Sequence, residues 1–223
     1  MGQIFIYTMG RLFHFGDSYG TVGMIDKHYI QDISERINHT YQYEVLSGSS
    51  NEQILTKLLS TIMDIKEGDT LFFNFSFFTR GCYYDREESK IMSTNYFYND
   101  SDKDFIIGDH KDYIIDIISY QLDNNEDYNR RLFFQFDTIF KQLHRRNIPI
   151  NYIFIVENEW SNSLLNYGNK ISFPTDFHTW LNDNGYHNNQ ECHYTLGVQP
   201  IIRDYIMKQF IHSTDEITPY EPF

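Results

Sequence analysis

Apolar positions along this chain follow two rhythms. Short alternating or unbroken runs at Gln3–Thr8, Arg11–Phe15, Tyr41–Leu46, Thr70–Phe75 and Ile150–Val156 read as strands. Between them the period lengthens. Ile25, Tyr29, Ile33 and Ile37 recur every four residues and predict a helix. Ile54, Leu55, Leu58, Leu59 and Ile62 predict another, opened by Ser50 and Gln53 at capping-box spacing. Lys111–Leu122 and Glu126–Arg146 also read as helices. Pro174–Asn182 opens with proline in a first helical turn and stops at Gly185. Gly197–Ile211 is the last predicted helix, with Ile201, Ile202, Tyr205 and Ile206 on its inner face. From Thr79 to about Gly108 the text is polar, tyrosine-rich and aperiodic, which predicts a long loop.

Strands alternating with helices predict an α/β fold with a mostly parallel central sheet, a three-layer α/β/α sandwich. The expectation is one domain spanning 1–223, with an insertion around 80–108. Sites on such sheets form at the carboxyl ends of the strands. The loops after Phe15, Leu46 and Phe75 all lie at that edge, so they converge.

Composition narrows the partners. The 223 residues are 41% hydrophobic and 17% aromatic, ample for a packed core. Lys and Arg number 18 against 31 Asp and Glu, a net charge of −13. That surface repels phosphate backbones and anionic lipid heads, so neither nucleic acid nor membrane is an expected partner. No apolar run is long enough to span a bilayer. The chain has no alanine but 18 Tyr and 19 Phe, the mark of AT-rich coding such as many phages and some bacteria have. Its helices therefore depend on burial more than on propensity. Cys82 and Cys192 are the only cysteines and make no disulfide framework. Met1–Gly10 has no basic region before its apolar stretch, so no signal peptide is read there and a reducing cytoplasm is the expected compartment.

One turn stands out for chemistry. Phe13-His14-Phe15-Gly16-Asp17-Ser18-Tyr19-Gly20 places a serine just beyond a buried strand, where Gly16 lets the chain turn and a helix is about to begin. Backbone N–H groups there are free to hold an oxyanion. A turn or helix cap built by Asp17 or Ser18 has the same signature.

This segment resembles the first block of the SGNH (GDSL) hydrolase family. Gly48 within Ser47-Gly48-Ser49 matches the glycine of the second block. Glu191-Cys192-His193-Tyr194-Thr195-Leu196-Gly197 looks like the last block, which carries the catalytic histidine. The resemblance implies a three-layer sandwich and a serine esterase acting on small acyl esters or O-acetylated sugars. In it Ser18 is the nucleophile, His193 the base and Glu191 the residue that orients the imidazole. It implies an oxyanion hole from Ser18, Gly48 and a third donor.

The third block departs from the family. Ser76 stands at the expected glycine and Phe78 at the expected asparagine, leaving Asn74, Thr79 or Arg80 as replacements, with Asn74 the chosen one. A lost donor costs about 2.7–4 kcal/mol of transition-state stabilisation. Gln190 also replaces the usual aspartate three residues before the histidine.

No cofactor is implied, and His178, His187 and His193 match no metal-ligand spacing. Arg130-Arg131 and Arg145-Arg146 read as solvated or salt-bridging positions. The alternative to an esterase is a catalytically lapsed structural subunit of a phage virion. That reading uses the same fold as a scaffold and has protein partners in a large assembly, with Tyr and Phe at its interfaces.

Overall fold

The computed structural model describes residues 9–17, 28–45, 49–78, 80–85, 90–95, 125–157, 165–188, 193–194 and 196–214. Five strands form the central sheet: β1 (Arg11–Gly16), β2 (Thr40–Val45), β3 (Thr70–Phe75), β6 (Ile150–Phe154) and β7 (Asn169–Lys170). Their order is β2-β1-β3-β6-β7, and every pairing is parallel. Helices α1 (Tyr29–Arg36), α2 (Asn51–Thr61), α3 (Asn125–His144), α4 (Phe177–Asp183) and α5 (Gln199–Met207) flank it.

The pleat sorts side chains into two cores. Phe13 and Phe15 of β1, Leu71, Phe73 and Phe75 of β3, and Ile150, Tyr152 and Phe154 of β6 face α2 and α3. Leu12, Phe72 and Ile153, at alternate positions, face α1, α4 and α5. With a core on each face, the molecule is the three-layer α/β/α sandwich expected. The first strand on one side of β1 is its sequence neighbour β2, and on the other is β3. The chain therefore reverses direction across the sheet between β1 and β3, which in open parallel sheets is where ligands bind.

Local chemistry explains the helix boundaries. Ser50 caps α2 by accepting from Gln53 N–H, while the Gln53 side chain accepts from Ser50 N–H, closing the predicted capping box. Gly185 takes φ +67° just past α4, as a stop requires. Arg130 forms an i,i+4 ion pair with Glu126 on the exposed face of α3.

Several expectations are corrected. The stretch after Thr79 is not all loop. Arg80–Asp85 (β4) and Lys90–Asn95 (β5) pair antiparallel as a hairpin, with β4 against α2. Its strands are polar and short, so no apolar alternation announced them. α4 begins at Phe177 and not at Pro174, because the Asp176 carboxylate caps it by accepting from Thr179 N–H at 2.9 Å. The last helix is a 3₁₀ turn (Leu196–Val198) followed by α5, and Ile201 on it is exposed, leaving Ile202, Tyr205 and Ile206 to face the core. Arg145 and Arg146 lie in the turn beyond α3, where the Arg146 guanidinium donates to the Ile65 carbonyl. The predicted strand Gln3–Thr8 and helix Lys111–Leu122 lie outside the described residues. No helix among the described residues is long and apolar enough to cross a membrane.

Candidate active site

Three loops meet at the carboxyl edge of the sheet. β1 ends at Gly16, paired in register with Asn74 of β3. A Cβ at Gly16 would sit 2.8 Å from Asn74 Cβ, so only glycine lets the two strands approach this closely. Asp17 follows and is wholly buried, and its carboxylate accepts from Ser76 Oγ at 3.1 Å. Ser76 is fastened again by Asn51, the first residue of α2. Asn51 Oδ1 accepts from Ser76 N–H at 2.7 Å, and Asn51 Nδ2 donates to the Ser76 carbonyl at 3.1 Å. Ser49 Oγ donates to the Gly16 carbonyl at 3.0 Å. The ends of β1 and β3 and the entry to α2 are thus tied by four side-chain bonds. This is the convergence that strand order predicts.

Ser18, Gly48 and Glu191 lie outside the described residues. The backbone of His193 is described: it forms, with Tyr194, the two-residue strand β9, antiparallel to β8 (His187–Asn188). Tyr194 is buried, its hydroxyl 3.0 Å from His28 Nε2 and its ring 6.0 Å from that of Tyr29. Burial pushes both phenols well above their usual range. The nearby Asp17 carboxylate adds to the effect on each.

Under this edge lies a buried polar lattice that the sequence reading missed. Tyr41 donates its hydroxyl to His14 Nδ1 (2.8 Å), and His14 Nε2–H donates to Asn74 Oδ1 (2.7 Å). Asn74 Nδ2 in turn donates to the Tyr29 hydroxyl (2.8 Å). Each ring nitrogen of His14 has one role, so the ring is neutral. Burial first, then the neighbouring His28, hold its pKa well below the usual histidine value, against the pull of the Asn74 bond. Asn74 is enclosed, with its carbonyl engaged by His14 and its amide by Tyr29. It stands in this lattice and not at an open surface, unlike the donor expected of it. Phe78, at the family's asparagine position, is buried with its ring 5.6 Å from Phe133 and 5.5 Å from Phe154. The available signal for the lattice was a histidine and an asparagine on the same face of otherwise apolar strands.

Beside Gly16 a groove of about 330 Å³ opens between β2 and α2, lined in part by Val45, Ser49 and Ile54. Glu44 and Lys57, also in its lining, form an ion pair at 2.8 Å. Among the described residues, no three His, Cys, Asp or Glu side chains come together as metal ligands would.

No protein-family model matches the chain, and no curated protein matches it significantly. Solved structures do resemble it in fold. One is a lipase/acylhydrolase from Enterococcus faecalis, at 9% identity and a TM-score of 0.43, covering 96% of this chain and 100% of that one. Another is a psychrotrophic esterase from Pseudoalteromonas sp., at 10% identity and a TM-score of 0.44, covering 90% of this chain and 96% of that one.

Proposed function

We propose that this chain is a serine acyl hydrolase of the SGNH type, acting on small acyl esters or O-acetylated sugars. The observation that supports this reading best is the run of contacts from the strand end before Ser18 to the residue after His193: Gly16 pairs with Asn74, Asn74 Nδ2 donates to the Tyr29 hydroxyl at 2.8 Å, and the Tyr29 ring lies 6.0 Å from that of Tyr194. The groove beside Gly16 has the volume for a short acyl group or a single sugar ring.

In this reading Ser18 Oγ adds to the ester carbonyl carbon while His193 takes the hydroxyl proton. Backbone N–H groups of Ser18 and Gly48 hold the tetrahedral oxyanion. The C–O bond to the alcohol then breaks, and the imidazolium returns its proton to the leaving oxygen. Water attacks the acyl-enzyme by the same route, releasing the acid and restoring Ser18. Glu191 orients the imidazole throughout.

The test is hydrolysis of p-nitrophenyl acetate by the full chain beside Ser18→Ala and His193→Ala, with mass spectrometry of an alkyl fluorophosphonate adduct. The expected result is turnover lost in both variants and one adduct, at Ser18. Equal rates in all three folded proteins with no adduct overturn the reading. A second reading is favoured by Phe78 in the core and Asn74 in the lattice, which leave the third block without its open donor. There the fold serves as a scaffold with protein partners, such as a phage virion subunit, and the same negative result supports it.

A further inference from the structure

We infer that His28, Tyr194 and Gln199 act together as positioning residues for His193, holding the strand that carries it over the carboxyl edge of the sheet. The inference rests on the serine-hydrolase reading and adds to it residues to which the SGNH resemblance gives no role.

The strand pair β8–β9 is two residues long on each side, too short to fix its own place. Its anchor is Tyr194. The hydroxyl lies 3.0 Å from His28 Nε2, and His28 Nδ1 accepts from Ile30 N–H at 3.2 Å. The neutral His28 ring therefore carries its proton on Nε2 and donates it to Tyr194. That one imidazole both caps α1 and grips β9. Gln199, the first residue of α5, closes the joint from the other side. Its Oε1 accepts from Tyr29 N–H at 2.7 Å, satisfying a second free donor at the start of α1. All three side chains are buried.

Two stretches of chain 166 to 170 residues apart thus meet at one joint, and residue 193 is a single peptide bond from it. Through Tyr29 the joint continues to Asn74, which stands opposite Gly16 in the sheet. The strand bearing His193 is therefore referenced to the strand pair β1–β3, whose first member leads into Asp17. Proton transfer between a serine and a histidine depends on their separation to within about 1 Å. Loosening the joint moves one partner relative to the other without touching either.

Tyr194→Phe removes one oxygen and keeps the buried ring. The expected result is a fall in kcat for p-nitrophenyl acetate of about 10- to 100-fold, with KM within about twofold. Phe140→Leu, in the opposite core, is the control for lost stability alone: it lowers the melting temperature and leaves kcat in place. His28→Phe gives a loss similar to Tyr194→Phe, and the double variant loses no more than either single one, as a shared contact requires.

A readout independent of turnover accompanies these rates. In ¹⁵N-histidine-labelled protein the His193 ring resonances shift in Tyr194→Phe and hold in Phe140→Leu. A kcat loss no larger than the control's, or unmoved His193 resonances, overturns the inference. A wild-type chain with neither turnover nor Ser18 adduct overturns the hydrolase reading instead. In that event the His193 resonances still decide whether Tyr194 and His28 position it.

Discussion

The two faces of the central sheet are built from the same strands by opposite means. On the α2–α3 face, Phe75 alone has ring neighbours at 4.9 Å (Phe133), 5.0 Å (Phe136) and 5.3 Å (Phe154), and Phe73 stacks on Phe15 at 5.0 Å. On the other face the alternate positions of those strands hold His14, Asn74 and Asn151, all fully buried. Asn151 accepts from Ile211 N–H (3.0 Å) and donates to the Ile211 carbonyl (3.1 Å), pinning the chain beyond α5 to β6. Shape complementarity can be met by many aromatic arrangements, whereas a buried amide or imidazole is satisfied only by particular partners in particular places. The first face supplies bulk stability. The second fixes which segments meet, and through Asn74 and Tyr29 it links the end of β1 to the joint at Tyr194.

The largest effect is expected where that contrast is sharpest. Phe75→Ala removes the ring at the centre of the aromatic face and costs about 3–5 kcal/mol, read from the midpoint of urea unfolding. A loss below about 1 kcal/mol would mean that the rings around it close the gap, and that this face is less tightly set than its distances imply.

Asn74→Leu is the matching change on the polar face. It keeps the branched shape and the number of heavy atoms and strands His14 Nε2–H and the Tyr29 hydroxyl, at about 1–3 kcal/mol for each stranded group. Adding Tyr29→Phe removes one stranded group and recovers part of that loss, because an apolar pair carries no unmet hydrogen bond. If the double variant is no more stable than Asn74→Leu, the lattice is not paired as the distances indicate.

Acid separates the faces without mutation. His14 has its pKa depressed in the fold, chiefly by burial. Below an unfolded value of about 6.5, the unfolded chain takes up a proton that the folded one refuses. Its contribution is therefore complete above that pH and declines as pH falls towards the folded pKa, by up to about 1.4 kcal/mol per pH unit. Unfolding midpoints of wild type and His14→Phe between pH 7.5 and 5.5 should diverge in slope by that one proton, with His14→Phe the flatter.

The same division marks what was legible in the sequence. Strands β1, β3 and β6 and helix α2 were readable because their signals are local: an apolar run, a four-residue period, a serine and glutamine three apart. Asp176 was passed over as the cap of α4 because Pro174 offered a competing local signal two residues earlier. The hairpin β4–β5 is polar and so carried no alternation to read. The lattice was out of reach for another reason. His14 bonds to a residue 60 positions away, Tyr194 to one 166 away, and Gln199 to one 170 away, and no window on the sequence relates them. The block resemblance points to Ser18 and His193, and it names as third donor Asn74, which the fold encloses in the lattice.

The smallest expected effect tests a local signal in its own right. Ser50 Oγ accepts from Gln53 N–H at 3.4 Å and the Gln53 carboxamide accepts from Ser50 N–H at 3.1 Å, two of the donors that a helix start leaves unmet. Ser50→Ala removes the first bond and leaves the second, so about 1 kcal/mol should be lost, seen as roughly 2–4 °C in melting temperature for a chain of this size. Because Ser50 is buried, water cannot readily replace the lost acceptor, which argues against a smaller value. Asn51 follows immediately and clasps Ser76, so a cap that also set the site would disturb that clasp and slow turnover. The cap's bonds, however, run along α2 while the clasp runs across to β3. Ser50→Ala should therefore lower the melting temperature and leave kcat for p-nitrophenyl acetate within about twofold. A larger kcat loss would place the cap itself, beside the Asn51 clasp, among the elements that set the catalytic geometry.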